Sequence, residues 1–202
     1  MSMGQNIATI LLGFLVVQAS GAATSRPVTH FQSMKSSPGA TLLVALRTGY
    51  LTIKRGTDLY HIRMSYSAEY RNKDTSDRVY PHFQTSDSLT AIILVAPYLT
   101  TLHVTLEVPS PLTLKVKMFA GDINVEGIEG NKDINLSIGD LRLSGQQKKA
   151  CSNVSASVSI GEIYGFPGGV HGLIGQHGRL HGDGQYELSA HLRVGEIYFS
   201  FE

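Results

Sequence analysis

The sequence predicts an all-β protein, a single-domain parallel β-helix or β-solenoid preceded by a looser half of β-strands. Glycine is abundant, with 21 residues among 202, and tryptophan is absent. No segment after the N-terminal region repeats apolar residues at helical spacing. Instead, a motif of glycine, an acid, an aliphatic residue and strict alternation returns several times. This combination of composition and pattern is typical of turn-rich β-proteins.

The N-terminal residues 1–23 have the pattern of a signal peptide. Residues 7–17 form an uncharged apolar run, and small residues follow it, with the expected cleavage site after Ala23. An uncleaved membrane anchor is the alternative, although the run is shorter than the about 20 residues that a spanning helix needs. We therefore expect an exported protein, periplasmic or at the cell surface. A polar lead-in over residues 24–40 follows.

The composition limits which partners and which kinds of site the protein can have. The net charge of +1 offers no basic footprint, so we expect no nucleic-acid partner. Cys151 is the only cysteine, which excludes an intramolecular disulfide and a cysteine-rich metal site. No histidine neighbours it in sequence, so we expect an inert buried or loop thiol. The sequence predicts no cofactor and no metal.

Residues 41–202 are predicted to form one β-domain, whose first half is the looser one. Around Gly49 the segment Gly-Tyr-Leu-Thr-Ile-Lys is a weak form of the motif. Residues 59–70 alternate as a half-buried strand does. Residues 89–96 and 101–108 are strand-like apolar runs, each followed by a proline. Proline cannot donate to a β-ladder, so it fits the end of a strand.

The second half carries the motif in its strong form. The copies begin at Gly121, Gly139, Gly161 and Gly195. Apolar columns lie five, three and one residues before each glycine and two and four after it. Period two on both sides of one glycine predicts two strands with one buried face, joined at a corner where a Cβ would be penalised. The column directly before the glycine, which we expect to be buried, is Ala120, Ile138, Ile160 and Val194.

The spacing of the copies predicts how they stack. The glycines are 18, 22 and 34 residues apart along the chain. Repeats of about this length with two strands each are typical of solenoids, in which each strand pairs with its copy in the next repeat. Gly178 lies at the midpoint of the longest interval, but Arg179 replaces the acid. We therefore expect an irregular glycine-rich excursion at about 165–184 rather than a further repeat.

In this order of segments the chain resembles bacterial adhesin-like β-solenoid domains, which are related to adhesin-head domains with a Gly-Ile-Asn signature. The resemblance covers roughly residues 44–202 and rests on the Leu-Glu-Val-Pro segment at 106–109 and the Gly-Asp-Ile repeats that follow it. It implies an exported, β-helical, non-catalytic domain, and it supplies no catalytic residues. The chain departs from the family pattern at Glu162 and Glu196, where glutamate replaces aspartate, and at Arg179.

Two outward columns carry the candidate binding residues. These residues are Asp122, Asp140, Glu162, Tyr164, Glu196 and Tyr198. Stacked carboxylates would lie on the order of 5 Å apart, near the separation in retaining glycosidases, or close enough to share a hard cation. The alternative is that the acids keep a turn solvated. The tyrosines suit stacking on sugar rings, or ordinary cross-strand packing.

The predicted function is a binding or structural module at the bacterial cell envelope. No Gly-x-Ser-x-Gly nucleophile motif and no Gly-x-x-x-x-Gly-Lys phosphate loop is present. The expected partner is a cell-surface polysaccharide or an envelope protein, with self-association through the solenoid ends. A small polysaccharide-active enzyme that uses the acidic column is the alternative.

Overall fold

The computed structural model describes residues 29–37, 39–70, 79–86, 88–96, 100–172 and 174–202. The predicted signal peptide, residues 1–23, lies outside them. The described residues form an all-β fold of eleven strands in one mixed sheet, with one short 3₁₀ turn at Lys148–Ala150. None of them belongs to a helix long and apolar enough to cross a membrane.

The strands follow the alternation of the sequence. They are β1 (His30–Lys35), β2 (Thr41–Arg55), β3 (His61–Tyr70), β4 (Tyr80–Thr85), β5 (Leu89–Val95), β6 (Thr100–Val108), β7 (Thr113–Glu126), β8 (Lys132–Gln146), β9 (Cys151–Tyr164), β10 (Gln176–His181) and β11 (Tyr186–Phe201). β1 lies within the predicted polar lead-in. The three strand-like runs of the looser half form β3, β5 and β6.

Five long parallel strands form the centre of the sheet in the spatial order β2, β7, β8, β11, β9. β11 is the last strand along the chain, yet it lies between β8 and β9. Stacking in chain order would place β9 beside β8, so that expectation is wrong for these two strands. After β9 the chain folds back along it as the antiparallel strand β10, and β11 then enters on the other side of β9.

The sheet divides at β2. The first half of β2 pairs with β5, and its second half, from Gly49 onward, pairs with β6. Antiparallel strands extend both branches, β4 beyond β5 and then β3 and β1 beyond β6. The other side of β2 pairs with β7 along nearly its whole length. The looser half and the repeats therefore share one continuous sheet.

A column of glycines crosses the five central strands. In spatial order this glycine column is Gly49, Gly121, Gly139, Gly195 and Gly161. Each has a φ between 121° and 142°, a conformation that L side chains rarely adopt. Gly49, where the sequence shows only a weak form of the motif, is thus a full member of the glycine column. The column divides each strand into an N-terminal arm before the glycine and a C-terminal arm after it.

Both arms contribute to one apolar core. In β7, β8, β9 and β11 the residues five and three before the glycine and two after it are buried, as expected. The column directly before the glycine is not: Ile138, Val194 and Ile160 are 46%, 40% and 63% exposed, and Ala120 is half-buried. The prediction that this column is buried is therefore wrong. One inward residue lies three positions before the glycine, and the next inward residue lies two positions after it. These residues are five positions apart, an odd number, so the inward–outward alternation changes phase at the bend.

The glycine-rich segment around Gly178 has its own packing. Gly178 pairs with Ala156 in the antiparallel β9–β10 ladder and lies outside the glycine column. It is buried, and a Cβ there would lie 2.7 Å from the ring of Phe166, a core residue of the preceding loop. β10 is therefore an edge strand rather than a further copy of the bent strand.

Candidate functional site

The six candidate residues lie together on the outward side of the C-terminal arms. With Arg142 they form the acid–tyrosine face, defined as Asp122, Asp140, Arg142, Glu162, Tyr164, Glu196 and Tyr198. The register places the acids in one row across β7, β8, β11 and β9. A second row, two residues further on, runs Arg142, Tyr198, Tyr164. β11 supplies Glu196 and Tyr198 to these two rows. Its position between β8 and β9 was not predicted from the order of the repeats along the chain.

The aromatic row is a continuous stack. The ring centroids of Tyr198 and Tyr164 are 5.0 Å apart with an interplanar angle of 16°. On the other side, the guanidinium carbon of Arg142 lies 5.2 Å from the centre of the Tyr198 ring. Both faces of Tyr198 are therefore occupied by cross-strand packing. β10 pairs with β9 only at residues 153–158, so no described strand continues the row past Tyr164, which is 41% exposed.

Each tyrosine hydroxyl is held by the glutamate two residues earlier on its own strand. The Tyr198 hydroxyl donates a hydrogen bond to Glu196. The corresponding bond from Tyr164 to Glu162, with desolvation and the nearby negative charges, raises the pKa of Tyr164 to about 12. The bond to Glu196 likewise raises the pKa of Tyr198. Both phenols therefore stay protonated near neutral pH and act as fixed donors.

The two aspartates also have partners. Asp140 lies 3.3 Å from the guanidinium of Arg142, and Asp122 accepts a hydrogen bond of 3.3 Å from the backbone N–H of Asp140. The carboxylates thus position side chains and backbone on an outward sheet surface. That arrangement suits recognition of hydroxyl and amide groups better than it suits proton transfer to a substrate.

No metal centre is built from the described residues, which contain no group of three or more His, Cys, Asp and Glu that could hold a metal ion. The rings of His171 and His177 lie 6.1 Å apart on a bridge between loop and β10. His191 instead forms hydrogen bonds with Ser157, at 2.7 Å, and Ser189, at 2.9 Å.

A buried lysine beside the cysteine was not predicted. Lys132 is 5% exposed, and its ammonium donates a 2.9 Å hydrogen bond to the carbonyl oxygen of Gly130. Burial lowers the pKa of Lys132 to about 8. Cys151 is buried nearby, and desolvation raises the pKa of its thiol. A raised pKa keeps the thiol protonated and unreactive.

The structure also shows a groove that the sequence did not indicate. It has a volume of about 730 Å³ and crosses the outward side of the N-terminal arms. Its residues come from six strands, β5, β2, β7, β8, β11 and β9. Part of its lining was visible as polar positions of the repeat, namely Lys117, Asn135, Ser137, Ser157, Ser159 and Arg193. Their convergence depends on the order of the strands, which the spacing of the repeats did not provide.

No model of a known protein family matches the chain, and no curated protein matches it. Among solved structures, its fold is similar to a "putative cell adhesion protein" from Clostridium sporogenes, with 12% identity, a TM-score of 0.55, and coverage of 88% of this chain and 100% of that one. At this identity the likeness concerns the fold alone.

Two further structures are more distant. A "putative adhesin" from Bacteroides fragilis has 10% identity and a TM-score of 0.29, over 85% of this chain and 96% of its own. Another from Parabacteroides distasonis has 8% identity and a TM-score of 0.27, over 86% and 97%. Neither supports an argument about this protein.

The described strands and the similarity to the clostridial structure together define the class: the chain is an all-β protein with the fold of that structure.

Proposed function

We propose that this protein is an exported, non-catalytic, adhesin-like binding module of the bacterial cell envelope. The observation that carries the proposal is the acid–tyrosine face, whose side chains come from four parallel strands and are each fixed by a neighbour. The described fold is similar to that of the clostridial "putative cell adhesion protein", which supports the class. The signal-peptide pattern of residues 1–23 supports export to the periplasm or the cell surface.

The scaffold suits recognition by a rigid surface. The five central strands form a solenoid-like array, parallel and bent at one glycine column, so the spacing of outward side chains is set by the backbone. Side chains that are already ordered lose little conformational entropy on binding. The carboxylates would accept hydrogen bonds from sugar hydroxyls, and the open face of Tyr164 would stack on a sugar ring. A cell-surface polysaccharide is therefore the proposed ligand, and an envelope protein is the alternative.

The test is retention of residues 24–202 on immobilised cell-wall and surface polysaccharides. Tyr164→Ala should abolish retention, because Tyr164 offers the open ring face. Tyr198→Phe is the matched control: it keeps the stacked ring, removes only a hydroxyl bound to Glu196, and should be retained as well as the wild type. Equal retention of wild type and Tyr164→Ala contradicts this site. Failure of the wild type to bind any of the polysaccharides would instead favour the envelope-protein partner.

The rival enzyme reading makes a different prediction for the acids. If Asp140 or Glu162 served as a catalytic acid or nucleophile, the wild type would turn over a glycan, and Asp140→Ala or Glu162→Ala would lose that activity. Because each of these carboxylates already holds Arg142 or a tyrosine hydroxyl, we expect no turnover by the wild type. The measurement is the release of reducing ends from a panel of glycans. Release by the wild type but not by the two alanine variants would contradict the non-catalytic proposal.

Self-association through the ends of the array belongs to the same proposal. At the β9 end, the side-chain carbonyl of Gln176 accepts a 2.8 Å hydrogen bond from the backbone N–H of Ile163. This bond covers one donor of an otherwise open edge and reduces pairing with another chain. Gln176→Ala should therefore increase self-association, which sedimentation velocity would detect. An unchanged monomer fraction would argue against this edge as the contact.

A further inference from the structure

The groove on the N-terminal arms differs chemically from the acid–tyrosine face. We call it the cationic groove, because Arg47, Lys117 and Arg193 line it and no aspartate or glutamate is among its lining residues. The motif acids Asp122, Asp140, Glu162 and Glu196 lie on the other side of the glycine column, on the C-terminal arms. On the N-terminal arms the carboxylates of Asp133 and Glu187 lie outside the groove lining, and Asp133 accepts a 2.8 Å hydrogen bond from the groove residue Asn135.

The strand register sets the order of side chains along the groove. Residues four positions before the column glycine lie side by side across the central strands, in the row Ala45, Lys117, Asn135, His191 and Ser157. A second row lies two positions before the glycine, and its members are Arg47, Phe119, Ser137, Arg193 and Ser159. Six adjacent strands at about 4.8 Å spacing make a surface about 24 Å long. That length fits an extended chain rather than a small molecule.

The three cations have no partner among the residues that the structure describes. Arg47, Lys117 and Arg193 are exposed, and none forms a hydrogen bond or ion pair with a described residue. Elsewhere in the described structure Lys54, Arg55, Arg63 and Arg142 each lie within 4.0 Å of a carboxylate. Like charges on one concave surface add to a positive potential, which attracts anions.

The remaining lining residues favour a sugar polymer over other anions. Phe119 is 54% exposed and lies between Arg47 and Ser137 in its row, where its ring is available for stacking. Ser137, Ser159 and Asn135 supply hydroxyl and amide groups along the floor. A ligand with many hydroxyls pairs with these groups, whereas an acyl chain would leave them desolvated without partners.

We propose that the cationic groove binds a segment of an acidic polysaccharide whose sugars carry carboxylates. Arg47, Lys117 and Arg193 pair with the carboxylates, Phe119 stacks on a sugar ring, and the serine and asparagine side chains bond to hydroxyls. Arginine presents a bidentate geometry that matches a carboxylate, which makes its two positions the stronger contacts. This site is separate from the acid–tyrosine face and does not depend on it.

The test is calorimetric titration of residues 24–202 with oligogalacturonate, in low salt, beside neutral dextran fragments, poly-glutamate and vesicles of anionic phospholipid. Only oligogalacturonate should bind well. Arg47→Gln/Arg193→Gln should weaken that binding at least about tenfold, which corresponds to the loss of two charge-assisted contacts. Lys148→Gln/Lys149→Gln removes the same charge from the exposed 3₁₀ turn, away from the groove, and should change Kd less than about twofold.

Three further variants complete the design. Phe119→Ser should weaken oligogalacturonate binding, whereas Phe119→Tyr should preserve it and Tyr164→Ala should leave it unchanged. Far-UV circular dichroism checks that each variant is folded. The proposal is overturned by absence of wild-type binding, by equal loss in the two double variants, or by equally tight binding of poly-glutamate or of the vesicles.

Discussion

Gly139 and Gly195 are 56 residues apart in the chain and face each other in register on neighbouring parallel strands. A Cβ at Gly195 would lie 1.8 Å from the carbonyl oxygen of Gly139, so the backbones meet more closely than any side chain permits. This contact recurs along the glycine column. It keeps the bend at one level in every strand, and the bend separates the cationic groove from the acid–tyrosine face.

The glycine column should not tolerate a side chain. In Gly139→Ala the new methyl group would lie 1.9 Å from the carbonyl oxygen of Gly121, at a φ of 130°. We expect the free energy of unfolding to fall by about 3 kcal/mol or more. Gly127→Ala is the control, because Gly127 has a φ of 61° with nothing within 4 Å of the new atom, and it should cost about 1 kcal/mol. Chemical denaturation measures both, and equal losses would contradict the close approach.

Aspartate substitutions in two apolar columns before the bend should have opposite outcomes. Val158 is 1% exposed, whereas Ile138 is 46% exposed. Val158→Asp buries an unpaired charge and should prevent folding, since that cost approaches the whole stability of a domain. Ile138→Asp should melt within a few degrees of the wild type, although the sequence predicted that Ile138 is buried as Val158 is. Thermal melting followed by circular dichroism measures both variants. Loss of folding in Ile138→Asp would mean that the column directly before the glycines is buried in the core.

The buried Lys132 predicts a pH dependence of stability. Its pKa is about 8 in the folded protein and 10.5 ordinarily, so between these values the unfolded chain binds more protons and the lysine's contribution to stability rises with pH. Relative to Lys132→Met, the wild type should gain about 2 kcal/mol in free energy of unfolding between pH 7 and 9.5. Both chains would carry Cys151→Ala, which removes the opposing titration of the thiol. Parallel stability curves would mean that the ammonium is not buried.

The bond between Tyr164 and Glu162 should be visible in the titration of the phenol. Glu162 supplies the largest contribution that raises the pKa of Tyr164 to about 12. Glu162→Gln removes the negative charge, so tyrosinate should form at lower pH, as followed by ultraviolet absorbance. Glu187→Gln, an exposed glutamate on the N-terminal arm of β11, is the control and should leave the titration unchanged. Identical titration curves for wild type and Glu162→Gln would exclude the bond.

Local patterns in the sequence predicted most of the single-strand features. Alternation identified β3, β5, β6 and the strands of the repeats, whereas β1, β4 and β10 were not predicted as strands. The positions of Val158 and Ile163 in the core followed from period two. The phase change at the bend was not predictable, because Ile138 and Val194 are apolar in either phase. Thr48, the polar residue before Gly49, was the one available signal that this column faces outward.

Relations between distant strands were harder to predict. The six candidate residues were identified from their columns, and the structure groups them, but the stacking of Tyr198 between Arg142 and Tyr164 required β11 to lie between β8 and β9. Spacing along the chain did not indicate that insertion, because the 34-residue interval between Gly161 and Gly195 does not specify which strands β11 pairs with. The cationic groove depends on the same insertion, which brings Arg193 beside the other strands.

The order β8, β11, β9 underlies both proposed surfaces, and disulfide formation tests it most directly. In a Cys151→Ala background, Asn135→Cys/His191→Cys places two thiols on register partners of neighbouring strands, about 5 Å apart at their Cα atoms, which a disulfide can bridge. Asn135→Cys/Ser157→Cys spans two strand spacings, about 10 Å, which it cannot. After mild oxidation, peptide mass spectrometry should find the first disulfide and not the second. The reverse result would mean that β9 pairs with β8 and would contradict the arrangement of both surfaces.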